Sequence, residues 1–174
     1  MNFIEFLSEG TLTDIAHEKK IFIMIVGGVA SGKSYFYDKH FSHIKLIDID
    51  KYTEKAADGD WEEARKQVGP MIKKVESDIR DHFKTGVSLV NTGSGASTAG
   101  VLNKFKWAKE AGYKTAIVFV DVDVKTAQKR NRKRAKDGDR NLIPAYKVQR
   151  TNEDARKNFN TFRKAADFAV KVQS

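Results

Sequence analysis

Eight consecutive residues, Gly27-Gly28-Val29-Ala30-Ser31-Gly32-Lys33-Ser34, fit G-x-x-x-x-G-K-[ST] at every fixed position. Each fixed type has a chemical reason. Glycines let the backbone curl until successive N–H groups point at one anion. A helix opening at the lysine adds free N–H groups and a positive dipole end. The Lys33 ammonium is long enough to reach β- and γ-phosphates, and the Ser34 hydroxyl is a ligand for Mg²⁺. Gly27 to Ser34 is therefore a candidate cradle for ATP or GTP; no base-reading motif separates the two.

Such a cradle works only between a strand and a helix. IFIMIV (Ile21–Val26) precedes it, short and wholly apolar like a buried strand. A helical pattern begins near Lys33. The next expected strand, His43–Asp50, ends in Asp48-Ile49-Asp50. If the strand continues that far, alternation puts Asp48 and Asp50 on one face. A carboxylate there accepts the proton of an attacking hydroxyl or holds Mg²⁺ through water; the plainer reading is a helix N-cap by Asp50.

Asn91 ends a third expected strand, Val87–Asn91, and Thr92 and Ser94 follow it. Their amide and hydroxyl groups suit an acceptor substrate, or ordinary turn chemistry. Asp121, after the apolar Ile117–Val120, reads as structural. A helix from Lys125 to about Lys136 puts Arg130 and Arg134 one turn apart on one face, and Arg140 follows in a glycine-containing loop. Arginines of this kind stabilise the charge that phosphoryl transfer spreads over equatorial oxygens. His17, His40, His43 and His82 lack metal-ligand spacing, and Trp61 and Trp107 read as packing residues.

The elements between these motifs define an architecture. A polar helical region covers about Trp61 to Lys84, with an expected break at Gly69-Pro70. Thr98–Gly112 is a helix, Lys114–Val122 a strand, Pro144 to about Ala165 a helix, and Asp167–Val172 a fifth strand. Alternating strands and helices predict an α/β, three-layer fold: a mainly parallel five-stranded sheet, helices on both faces, and a basic lid. Residues 1–20 form an N-terminal segment and residues 21–174 the domain. Ligands of such sheets sit at the carboxyl ends of the strands.

Composition bounds the partners. The chain has 174 residues and no cysteine, so disulfides, thiolate nucleophiles and cysteine metal sites are excluded. No apolar run approaches the roughly 20 residues of a membrane span. Lys and Arg number 32 and Asp and Glu 23, a net charge of +9. Lys125–Arg150 alone holds ten Lys or Arg against two Asp. A basic face of this kind suits nucleoside phosphates or nucleic acid, or is a solvated charged helix.

GGVASGKS, LIDIDKY, VNTGSG, AQKRNRKR and GDRNLIP together resemble the small P-loop kinases of the zeta-toxin and polynucleotide-kinase type. The resemblance covers about Ile21 to the C-terminus. It implies an ATP-dependent phosphotransferase with Lys33 and Ser34 on the phosphates and Mg²⁺. It implies Asp50 as base on the acceptor hydroxyl, and Arg130 and Arg140 as a transition-state clamp with Arg134 nearby. Zeta toxins carry an acidic residue before the Thr-Gly that ends strand three; Asn91-Thr92 stands there, which weakens a nucleotide-sugar acceptor and leaves a nucleotide, a polynucleotide end or a modified base in DNA. A hydrolytic switch and a non-catalytic nucleotide-binding protein are the competing classes.

The N-terminus, MNFIEFLSEG, resembles the capsid-targeting peptides of T-even-like bacteriophage internal head proteins, cut after a Leu/Ile-x-Glu pattern that Leu7-Ser8-Glu9 fits. That resemblance implies packaging in a virion and action in the bacterial cytoplasm. Phe3, Ile4, Phe6 and Leu7 alternatively form one face of a short helix packed on the domain.

Overall fold

The computed structural model describes residues 4, 5, 12, 14, 15, 17–52, 61–138 and 142–174. The strands are β1 (Ile4–Glu5), β2 (Ile21–Val26), β3 (Lys45–Asp48), β4 (Leu89–Gly93), β5 (Lys114–Asp121) and β6 (Phe168–Gln173). The main helices are α1 (Lys33–His40), α2 (Trp61–Phe83), α3 (Thr98–Glu110), α4 (Val124–Lys136) and α5 (Ala145–Ala165).

The strands form one sheet in the order β1-β6-β5-β2-β4-β3. β2 is central because every residue of IFIMIV can be buried, and all six are. Its odd and even side chains enter different cores. Phe22, Met24 and Val26 meet Val75 and Ile79 of α2, Val101 and Phe105 of α3, and Phe162 of α5. Ile21, Ile23 and Ile25 meet Phe36 of α1 on the opposite face, with Val118, Val170 and Val172. Phe22 stands edge-on to both Phe83 and Phe105, an arrangement aromatic rings favour. The five expected strands are present and mutually parallel.

Three local expectations are corrected. Ile4–Glu5 is a strand, not a helix: it pairs antiparallel with β6, Ile4 opposite Gln173 and Glu5 opposite Val172. An open strand edge offers ready hydrogen bonds, whereas a helix of one or two turns must meet its nucleation cost alone. The scissile pattern Leu7-Ser8-Glu9 lies outside the described residues. Second, α2 runs unbroken through Pro70. Gly69 and Pro70 are both exposed, so the ring meets solvent rather than packed neighbours, and Gly69 has no Cβ to clash with it. Third, β3 stops at Asp48 and residues 49–52 turn into a helix, while β4 continues to Gly93.

The segment expected as a basic lid is α4 and the chain that follows. Asp123 caps α4 by accepting from the Thr126 N–H at 2.9 Å. Ala127 and Asn131 are its buried side chains. The Asn131 amide donates to the Ile143 carbonyl at 2.7 Å and accepts from the Ile143 N–H at 3.3 Å, pinning the chain before Pro144. No described helix is long and apolar enough to cross a membrane.

Candidate functional site

Strand order reverses at β2: the chain visits β3 and β4 on one side of it, then β5 and β6 on the other. A crevice must open at the carboxyl end of such a strand. Register keeps the ends level, with Val26 opposite both Gly93 and Phe119, and Asp48 opposite Thr92. The motif residues of three strands thus converge on one cavity of about 250 Å³.

The cavity floor is the loop from Val29 to Ser34. Ala30 has φ 58° and Gly32 φ 101°. Left-handed values of this kind alternate the peptide planes, as they do in an anion nest. Gly32 holds its angle at little cost, while Ala30 is strained. The Lys33 ammonium donates to the carbonyls of Gly27 at 2.8 Å and Gly28 at 3.1 Å, so the side chain lies over the loop it serves. Ser34 is exposed in the first turn of α1, facing the same cavity.

Asp48 and Asp50 both line the cavity, by a different route from strand alternation. Asp48 is buried at the end of β3, and its Oδ1 accepts from the Asp50 N–H at 3.0 Å. Asp48, not Asp50, is therefore the residue capping the following turn. That cap rotates Asp50 outward, where its carboxylate is exposed. Thr92 and Ser94 line the neighbouring wall.

Two expected residues stand elsewhere, and a third is not described. Arg130 does not line the cavity; its Nη1 reaches the Ala30 and Ser31 carbonyls at 3.5 and 3.4 Å and the Ser174 hydroxyl at 2.8 Å. It braces the loop through those carbonyls, while Asn131 and Arg134 of the same helix line the cavity. Burial, and then the charge of Arg134, lower its pKa, with Asp123 opposing, yet a guanidinium stays charged. Arg134, one turn on, lines the cavity instead. Asn91 is inside β4 rather than at its end, and its side chain donates to the Ile47 carbonyl at 2.7 Å. Arg140 and the side chain of Trp61 lie outside the described residues. Asp121 is nearly covered and accepts from Arg156 at 2.7 Å and Lys171 at 3.0 Å. Among the described residues no His, Asp and Glu group is arranged to hold a metal alone.

The helix from Pro144 was expected, but its hold on the loop was not. Thr151 Oγ1 of α5 accepts from the Val29 N–H at 3.1 Å, and the Asn152 amide donates to the Val29 carbonyl at 3.2 Å. Asn152 is buried in the α5 row that also contains Val148, Ala155 and Phe162. A polar residue in an apolar row was the available signal. The contact also explains Gly28, since a Cβ there would run into the Asn152 amide. Gly28→Ala is expected to destabilise the fold by about 1–3 kcal/mol, as overpacking does. Adding Asn152→Ala should recover part of that loss. Denaturant unfolding of the three variants checks this, and unchanged stability of Gly28→Ala would mean the loop is not pressed against α5.

Residues 22–158 match the protein family described as AAA domain. No curated protein matches the chain. Solved structures share its fold at low identity. One is from the PezAT toxin–antitoxin system of Streptococcus pneumoniae, with 14% identity, 93% of this chain and 74% of that chain covered, and a TM-score of 0.65. A gluconokinase from Sinorhizobium meliloti 1021 has 16% identity, 90% and 84% covered, and a TM-score of 0.58. The Pnkp1/Rnl/Hen1 RNA repair complex has 16% identity and a TM-score of 0.67; the match covers 84% of this chain but 47% of that one, so the chain spans under half of its length. The family match runs from β2 into α5 and takes in the phosphate-loop motif, β3, β4 and β5. The chain belongs to the AAA domain family and has a P-loop kinase-like α/β fold.

Proposed function

We propose that the chain transfers the γ-phosphate of ATP to a hydroxyl group on a nucleotide or nucleic acid. The observation that carries this reading is the placement of an exposed Asp50 in one cavity with Lys33, Ser34 and Arg134. A binding protein needs the phosphate loop alone; a transferase also needs a proton acceptor and a cation beside it.

In this reading the loop amides and Lys33 hold the β- and γ-phosphates. Asp50 accepts the proton as the acceptor oxygen bonds to the γ-phosphorus. The bond from that phosphorus to the β–γ bridging oxygen breaks, and ADP leaves with the electron pair. Arg134 stabilises the spreading negative charge, and Arg130 keeps the loop in shape. The Ser34 hydroxyl and two nearby carboxylates are an oxygen-rich donor set that fits Mg²⁺. Asp48 and Ser34 would hold the ion, which supplies charge neutralisation on the phosphates.

The test is a γ-phosphate transfer screen over nucleosides, nucleotides, nucleotide sugars and DNA or RNA ends. Turnover should be slow with water and faster with the right hydroxyl; equal rates with and without every acceptor would support a hydrolytic switch. Five exposed cations of α4, Lys125, Lys129, Arg132, Lys133 and Lys136, form the surface offered to nucleic acid. If they contact phosphates, oligonucleotide affinity should fall about 10²-fold between about 50 and 200 mM salt. No binding at low salt would remove nucleic acid as a partner.

A further inference from the structure

A second cavity of about 250 Å³ adjoins the first and shares Ile49, Thr92, Gly93 and Ser94 with it. Its chemistry differs. Met24, Val75 and Val101 make an apolar wall, and Val68 and Ile72 of α2 extend it toward the mouth. These last two are 38% and 44% exposed, unusual for large aliphatic side chains that could have turned into the core. Thr92, Ser94 and Ser97 line the cavity rim, and two further polar groups matter most. Asn91 is 1% exposed, and while its Nδ2 is bonded to Ile47, its Oδ1 is buried with no hydrogen-bond partner. Buried acceptors are rarely left unpaired, and each costs free energy until something donates to it. Lys104 of α3 lines the cavity half-buried.

We propose that this slot binds the phosphoryl acceptor, and that the acceptor is a small anion of nucleoside-monophosphate size. Its planar or apolar body lies between Val75 and Val101, its anionic group pairs with Lys104, and one of its N–H groups donates to Asn91 Oδ1. The inference rests on the transferase reading above and narrows its substrate class. The shared wall at Ile49 and Ser94 places an acceptor hydroxyl at the junction with the phosphate cavity. Burial lowers the pKa of Lys104, with Glu76 opposing, so an arriving anion is a favourable counter-charge for a cation held partly out of water. A polynucleotide fits less well: a slot of about 250 Å³ with an apolar wall suits one planar group, and the exposed cations of α4 belong to a different surface.

The experiment is calorimetric binding of nucleoside 5′-monophosphates, their uncharged nucleosides and a short oligonucleotide. It uses the full chain saturated with a non-hydrolysable ATP analogue. The mononucleotides should bind without displacing the analogue. Lys104→Met should weaken them about 10-fold or more, the worth of one charge-assisted contact, and change nucleoside affinity less than about threefold. Ile72→Glu, an exposed position that leaves the core intact, should repel mononucleotides more than nucleosides. Three results would overturn the proposal: no mononucleotide binding, displacement by the analogue, or equal losses for charged and uncharged ligands. Tighter binding of the oligonucleotide, unaffected by Lys104→Met, would hand the acceptor role to nucleic acid. Lys104-dependent binding with no transfer from ATP would sink the transferase reading and leave the slot as a ligand site.

Discussion

Lys33→Ala is expected to slow phosphoryl transfer by about 10²–10³-fold and to weaken ATP binding as well. Preorganised positive groups aimed at developing charge carry effects of this size. The side chain is already poised, with its ammonium 2.8 Å from the Gly27 carbonyl and 3.1 Å from that of Gly28. A phosphate entering the nest replaces neutral carbonyl partners with a charged one, and charge-assisted bonds are about twice as strong. Alanine removes that exchange but leaves the loop braced by Thr151, Asn152 and Arg130. The fold should therefore survive, which circular dichroism would verify before titration with ATP and rate measurement. A rate within threefold of the unaltered protein would dismantle the whole site, because no other described ammonium lines the phosphate cavity.

Asp50→Asn separates binding from chemistry. The side chain is exposed, and the cap at this turn is made by Asp48, which the substitution leaves in place. ATP affinity should stay near that of the unaltered protein. Transfer to the acceptor hydroxyl should fall about 10²-fold or more, the usual contribution of a general base. An unchanged transfer rate would assign the proton to another acceptor, with Asp48 next in line in the same cavity.

The two predictions come from residues of unequal legibility. Lys33 belongs to eight contiguous residues whose types are dictated by the anion they meet. A local motif of this kind folds much the same way wherever a strand precedes it and a helix follows. The strands that position it were legible for a related reason: runs such as IFIMIV can only be buried on both faces. Asp50 was legible as a candidate, but its geometry was not. Alternation along a continued strand was expected; a capped turn delivers the carboxylate instead, because Asp48 bonds the Asp50 N–H and ends β3.

The arginines show where local pattern stops helping. Arg130 and Arg134 occupy equivalent positions one turn apart, and nothing in the segment ranks them. Their roles divide because α4 packs through Ala127 and Asn131 at one depth and angle, which sets Arg130 against the back of the loop and Arg134 into the cavity. Asn91 was expected as the last residue of its strand; because β4 runs two residues further, it sits inside the strand and faces α2 and α3.

By itself the sequence determined the parallel α/β order, the phosphate cradle and the concentration of positive charge, since each depends on neighbours in the chain. The tertiary structure alone decided that Thr151 and Asn152 hold Val29 from more than 120 residues away, and that Asn91 and Lys104 share a slot with Met24. Those contacts exist only after helices dock on the sheet. Docking is set by the summed packing of whole faces, which no short stretch of residues encodes.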